Sequence, residues 1–196
     1  MRKAKTIMSL ALTAAMVTSM AAPAPVMAAE GFDLNLCIAS EPQSIDPALN
    51  TTMDGSIMCQ HMFEGLVKWA DDGEGNATTV PGQAESWDKE TNDDGTVTYT
   101  FHLRDDIKWS DGQAVTAQDF EYSWKRLANP ETAADYTYMI DMVKGYSEVA
   151  DGSAEVDTLG VKAVDDTTLQ IDLSYDCRIS RKSWHSRQPS RFVRIW

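Results

Sequence analysis

The chain has 196 residues, with 30 acidic against 17 basic side chains for a net charge of −13, and it is 43% hydrophobic and 9% aromatic. That length suits about one domain beyond a short leader, with enough large apolar side chains for a core. The acidic balance argues against DNA or an anionic lipid surface as a partner.

At the front, Arg2, Lys3 and Lys5 form a positive start, and Ile7 to Ala22 is apolar and rich in Ala and Met. Val26-Met27-Ala28 has the small-x-small form that signal peptidase cuts after. The apolar run is short and no stop-transfer segment follows, so residues 1–28 read as a secretory signal peptide rather than an anchor. Cleavage near Ala28 would start the mature chain at Ala29 or Glu30, in the periplasmic space or at the cell surface. Cys37 lies inside the mature chain and not at the cleavage point, as a lipoprotein would need. Cys37, Cys59 and Cys177 make an odd count; export permits a disulfide, but the expectation is free buried thiols, Cys37 in a strand and Cys59 in a helix.

Leu34, Leu36 and Ile38 alternate with Asn35, Cys37 and Ala39, which predicts a first strand. Pro42 and Pro47 bracket an irregular turn. Ile57 to Val67 reads as a helix, with Asp54 as N-cap and Met58, Met62 and Leu66 on one face. Asp71 to Gly75 is a turn, and Asp93-Asp94-Gly95 a hairpin turn. Val97, Tyr99, Phe101 and Leu103 alternate with Thr98, Thr100 and His102, a half-buried strand. Thr116 starts a helix, with Asp119 completing an acidic variant of the capping box. Phe120, Trp124 and Leu127 follow at helical spacing, and Pro130 stops the helix. Two further strands, Leu159 to Val164 and Thr168 to Leu173, are joined by Asp165-Asp166-Thr167. Alternating strands and helices predict an α/β or α+β domain.

The charge pattern breaks at Cys177. From Glu30 to Cys177 there are 30 acidic and 8 basic residues; Arg178 to Trp196 holds five Arg and one Lys with no acid. That segment also carries Trp184, Phe192, Ile195 and Trp196 without helical or strand period, unlike an ordinary basic tail. We expect a change of reading frame here. With one base restored after Cys177, one choice of allowed codons reads PYFQKKLAFPATFPVREDM, an apolar, Pro-punctuated continuation. The expected organisation is a signal peptide 1–28, one domain or part of a domain over 29–177 and an out-of-frame tail 178–196.

No catalytic constellation stands out. His61, His102 and His185 have no metal-ligand spacing, there is no CxxC, and no nucleophile elbow or Gly-rich phosphate loop is present. His61 reads as a helix-surface residue and His102 as solvated on the polar face of its strand. Asp71 to Asn76 resembles a calcium loop but lacks the closing acidic ligand, so a solvated turn is expected. Asp105-Asp106 and Asp165-Asp166 lie in turns with no evident partner. These features favour a binding protein over an enzyme, with no cofactor and no metal.

Several strings occur in order: Ser40-Glu41-Pro42-Gln43-Ser44-Ile45-Asp46-Pro47; Phe63-Glu64-Gly65-Leu66; Pro81-Gly82-Gln83-Ala84-Glu85-Ser86-Trp87; Tyr99-Thr100-Phe101-His102-Leu103-Arg104; Lys108-Trp109-Ser110-Asp111-Gly112 with Val115 to Phe120; Tyr122 to Arg126 with Asn129 to Ala133; and Leu159 to Asp166. Together they resemble family 5 of the bacterial extracellular solute-binding proteins, the oligopeptide and dipeptide receptors of ABC importers. The resemblance covers nearly all of Leu34 to Cys177, and the unshifted string is also what this family carries next.

The resemblance implies a periplasmic-binding-protein type II-like α/β receptor, here partial and truncated: the opening of lobe 1 plus an accessory domain. It implies an oligopeptide ligand, an ABC permease as partner, membrane contact only through that permease, and a monomer. Relatives pair an extended peptide with the backbone after the Asp-Pro motif, which falls on Asn50, Thr51, Thr52 and Met53, and place a cleft tyrosine where Tyr136 stands. Strand addition would give affinity through main-chain hydrogen bonds, and the tyrosine adds apolar area and one hydroxyl. The turn around Trp109, Asp111 and Gly112 is expected to be structural. The rival readings are an unstable truncated product with unpaired strand edges, the same fold holding nickel, haem or an oligosaccharide, and a basic tail that binds an anionic surface.

Overall fold

The computed structural model describes residues 35–37 and 40–176. The expected signal peptide and tail, Cys177 and His185 lie outside the described residues. The chain divides into two units, residues 1–37 and 38–196. Of the first, Asn35–Cys37 are described; they are irregular and exposed, and Cys37 is a free, exposed thiol. This corrects the expected buried cysteine and puts Asn35–Cys37 outside a strand; Leu34, Ile38 and Ala39 of the expected strand lie outside the described residues.

In the second unit, helix α1 spans Met53–Met62. Strands β1 (Val67–Asp71) and β2 (Ala77–Pro81) pair antiparallel as a two-stranded sheet. Strands β3 (Ala84–Thr91) and β4 (Val97–Leu103) follow, then helix α2 (Ala117–Ala128) and the short helix α3 (Tyr146–Ala150). Strands β5 (Val161–Ala163) and β6 (Thr168–Leu173) complete a four-stranded sheet of order β3-β4-β6-β5, antiparallel throughout. Short 3-10 turns occupy Pro130–Thr132, Thr137–Ile140 and Val156–Thr158.

The sheet's buried face follows the alternation read in the sequence. Val97, Tyr99, Phe101 and Leu103 are buried, and Leu169, Ile171 and Leu173 continue that face on β6. Helix α2 covers it with Ala117, Phe120, Trp124 and Ala128, all in the same core cluster. Each large side chain buried in this way contributes about 1.5–3 kcal/mol. The capping box of α2 forms as expected: the Thr116 amide donates to Asp119 Oδ2 at 2.8 Å, and the Thr116 hydroxyl reaches the same oxygen at 3.1 Å. Asn129 ends the helix in extended backbone, and Pro130 opens the next turn.

The short edge strand β5 does not present a bare donor row. Glu121 of α2 accepts the Ala163 amide at 2.7 Å, while Lys125 bridges Glu121 at 2.7 Å and Asp157 at 2.8 Å. A capped three-residue edge is a poor template for unwanted pairing.

Two expectations for the first helix are corrected. The helix begins at Met53 and ends at Met62, rather than spanning Ile57 to Val67. Its N-cap is Thr52, whose hydroxyl accepts the Gly55 amide at 3.3 Å. Asp54 is not the cap residue but lies in the first turn, where its carboxylate accepts the Ser40 hydroxyl at 2.7 Å and also the Gly55 amide at 3.0 Å. Leu66 lies outside the helix and within the core, because the Gly65 and Leu66 carbonyls receive the amides of Gly82, Gln83 and Ala84. Cys59 is buried in α1 as expected, its thiol directed at the Ile45 carbonyl at 3.4 Å.

The turn at Asp71 to Asn76 is a closed Asx arrangement. Asp72 accepts the amides of Glu74 at 2.8 Å and Asn76 at 3.1 Å, which is the solvated turn that was expected. Asp106 does have a partner, Arg104 Nε at 3.2 Å. No helix among the described residues is long and apolar enough to cross a membrane.

Candidate functional site

The loop after the Asp-Pro motif is built by local hydrogen bonds. The Asp46 carbonyl accepts the amides of Leu49 at 3.1 Å and Asn50 at 2.9 Å, and Asp46 Oδ1 accepts the Ala48 amide at 3.0 Å. The Ser44 hydroxyl accepts the Asp46 amide at 3.1 Å. Asn50 then folds onto Thr52: its Oδ1 accepts the Thr52 amide and hydroxyl, each at 3.2 Å, and its Nδ2 donates to the Thr52 carbonyl at 3.2 Å. This is the Asx geometry in which a short amide side chain substitutes for a backbone turn.

From this loop the chain enters α1, whose first turn is packed tightly. A Cβ on Gly55 would overlap the Asn50 carboxamide and lie 2.6 Å from the Ser44 carbonyl. Glycine therefore allows α1 and the loop to touch along their backbones. Asp54, at the same place, has its carboxyl held down to about 2 by the Thr52 and Ser40 hydroxyls, against the opposing effect of burial.

The loop is tied to the main sheet layer by one long-range pair. Arg126 on α2 donates from Nη1 to Asp46 Oδ1 at 2.8 Å and from Nη2 to Asp46 Oδ2 at 2.6 Å, a bidentate fork. The two side chains are 33% and 31% exposed, so the pair is partly screened by solvent. The Arg126 guanidinium holds the Asp46 carboxyl below its ordinary value, more than desolvation raises it.

The residues expected to meet ligand fall in two places. Thr51 and Met53 are exposed, Met53 at 79%. Asn50 and Thr52 are half-buried, with their side chains engaged in shaping the loop. Thr51 differs from its neighbours: among the described residues neither its amide nor its carbonyl makes a hydrogen bond. Tyr136 is 41% exposed, immediately before the Thr137–Ile140 turn, and meets Tyr138 edge to face at 5.9 Å between ring centroids. The Thr137 and Tyr146 hydroxyls, 2.9 Å apart, pin the same turn.

No hydrogen bond or ring contact among the described residues joins Tyr136 to the Asn50–Met53 loop. Their common support is α2, which packs on the Thr137–Ile140 turn and carries Arg126. Sequence reasoning had Asp46 and Arg126 within its motifs and did not pair them; no local spacing signals a contact between residues 80 positions apart. His61 sits on the exposed side of α1 with its Nδ1 at 2.8 Å from the Ile57 carbonyl, and His102 lies 3.1 Å from the Asp88 carboxylate across the β3–β4 pair. The described residues contain no group of three or more His, Cys, Asp or Glu that could hold a metal ion.

The chain is similar to known proteins. The chain is 44% identical over 154 residues to the periplasmic oligopeptide-binding protein OppA of Escherichia coli, covering 78% of this chain and 27% of that protein. It is 41% identical over 142 residues to the oligopeptide-binding protein OppA of Bacillus subtilis, covering 72% and 25%. The crystal structure of Haemophilus influenzae OppA in complex with the peptide RPPGFSPFR superposes with a TM-score of 0.62 at 38% identity, covering 70% of this chain and 26% of that one. The chain thus spans about a quarter of the length of the relatives it matches. A sequence model of the bacterial extracellular solute-binding proteins, family 5, matches residues 78–186, more than half of the chain. With that match and the 44% identity to an oligopeptide-binding protein, the chain belongs to family 5 of the bacterial extracellular solute-binding proteins.

Proposed function

We propose that this chain carries part of the substrate-binding component of an ABC peptide importer, and that it takes extended oligopeptides outside the cytoplasmic membrane. The observation that carries the reading is its 44% identity over 154 residues to an oligopeptide-binding protein, supported by its likeness to one solved with a peptide.

In this reading the peptide runs along Asn50–Met53 as an added strand. The Thr51 amide and carbonyl supply the main-chain pairing, which tolerates any peptide side chain. Tyr136 adds an apolar surface and a hydroxyl beside the ligand. Closure of lobes over the peptide then precedes delivery to the permease. No covalent step is involved, so the protein works as a receptor without a cofactor and not as an enzyme. It acts as an exported monomer after its signal peptide is removed near Ala28, touches the membrane only through the permease, and binds no nucleic acid.

Calorimetric titration of the purified chain with di- to pentapeptides tests this. Saturable heat with peptides, and none with nickel, haem or maltooligosaccharides, supports the reading. Saturation by one of those other solutes, with peptides inert, overturns it in favour of another cargo.

A further inference from the structure

Among the described residues, Thr51 is the member of the candidate loop whose amide and carbonyl both lack a hydrogen bond, and its position is set from far away. We propose that Arg126 is a positioning residue for ligand binding, holding the Thr51 main chain in the geometry that a peptide strand pairs with. This deepens the peptide-receptor reading and rests on it.

The chain of contacts is continuous. The Arg126 fork fixes both Asp46 carboxylate oxygens, and Asp46 Oδ1 also receives the Ala48 amide at 3.0 Å. The Asp46 carbonyl receives the Leu49 and Asn50 amides, so fixing Asp46 fixes where Asn50 stands. Asn50 in turn holds the Thr52 amide, hydroxyl and carbonyl, and Thr52 caps α1. Thr51 sits between two residues held on both sides, exposed, with its own amide and carbonyl unbonded among the described residues. The loop cannot slide toward α1, because Gly55 already lies against the Asn50 side chain and the Ser44 carbonyl.

A main-chain donor and acceptor offered in fixed geometry bind an extended strand without first being ordered, which removes part of the cost of association. The fork also explains the residue type. A planar guanidinium holds both carboxylate oxygens and their rotation; an ammonium on the same stem holds a point charge only. Arg126 projects from the capped helix whose Trp124 is in the core, so its anchor is rigid.

The test uses the full-length, nitrogen-15-labelled chain, titrated with trialanine by backbone NMR, beside Arg126→Met, Arg126→Lys and Asp46→Asn. In the parent chain the Thr51 amide shifts saturably. Each variant should weaken trialanine binding about tenfold, the double variant Asp46→Asn/Arg126→Met no more than either single one, because a charged hydrogen-bonded pair acts as a unit. Hydrogen exchange at the Asn50 amide should rise in step. Arg126→Lys, which keeps charge and stem, guards against simple loss of the fold. Binding within twofold of the parent in Arg126→Met and Arg126→Lys, or lower melting temperatures with unchanged affinity well below the melt, overturns the proposal. A parent chain with no saturable shift overturns the peptide-receptor reading and Arg126's part in it. Asn50 exchange still separates that result from a failure of the Arg126–Asp46 link itself.

Discussion

Replacing Gly55 with alanine sets two effects of opposite sign against each other. Gly55 has ordinary negative φ within α1, so alanine should favour the helix by up to about 1 kcal/mol. The added methyl, however, overlaps the Asn50 carboxamide and lies 2.6 Å from the Ser44 carbonyl. The carboxamide can rotate away, but it then releases three hydrogen bonds to Thr52, each about 0.5 kcal/mol at their 3.2 Å lengths. The Ser44 carbonyl is backbone and cannot rotate away, and forcing such a contact typically costs about 1–3 kcal/mol. The clash wins, with a net loss of about 1.5–3.5 kcal/mol. For a domain near this size that is a fall in melting temperature of about 3–10 °C. Circular dichroism melts of the parent, Gly55→Ala, Asn50→Ala and the double variant measure it. The double variant should lose less than the sum of the single losses, since removing the carboxamide relieves one of the two contacts. A Gly55→Ala chain that melts at or above the parent would refute the reasoning.

Other outcomes follow from the same geometry. Trp124 is fully buried beneath the sheet, so Trp124→Ala should cost about 3–5 kcal/mol, while Trp124→Phe keeps a cooperative melt. Asp119→Ala removes half of the α2 capping box and should cost about 1 kcal/mol by denaturant titration, with the m-value unchanged. The Arg126 guanidinium holds the Asp46 carboxyl below its ordinary value, so its stabilisation is full above the ordinary value and is lost as pH falls through the lower folded one. The gap in melting temperature between the parent and Asp46→Asn should therefore be wide at pH 6 and shrink as pH falls below about 4. A gap constant across that range would contradict the paired state of Asp46.

What could be read from the sequence was what depends on neighbours along the chain. Thr116 and Asp119 are three residues apart and form their box; Val97 to Leu103 alternate and form β4; Asp93-Asp94-Gly95 and Asp165-Asp166-Thr167 close the hairpins they signal. The α1 boundary was misread because Thr52 and Asp54 are both good caps, and the choice depended on Ser40, which takes the Asp54 carboxylate. Strand β3 carries polar and charged residues on both faces and pairs on one edge only, so its period gave no signal. Apart from the buried Val67, β1 and β2 are exposed or half-buried and pair with each other, so neither shows a clean apolar alternation. At the candidate site, the family strings named Asn50 to Met53 and Tyr136. The arrangement that shapes the loop was not legible, because Arg126 and Asp46 meet only once α2 has folded onto the sheet.

The proposed peptide-receptor function requires residues 40–176 to form a surface that takes a peptide. The most direct measurement is peptide binding by a chimera in which this segment replaces its counterpart in Escherichia coli OppA, a context in which the rest of a receptor is present. The account predicts a chimera that melts cooperatively and binds oligopeptides within about tenfold of the parent receptor, a difference of about 1.4 kcal/mol. It also predicts that Arg126→Met weakens that binding further. A cooperatively folded chimera that takes no peptide would contradict the account.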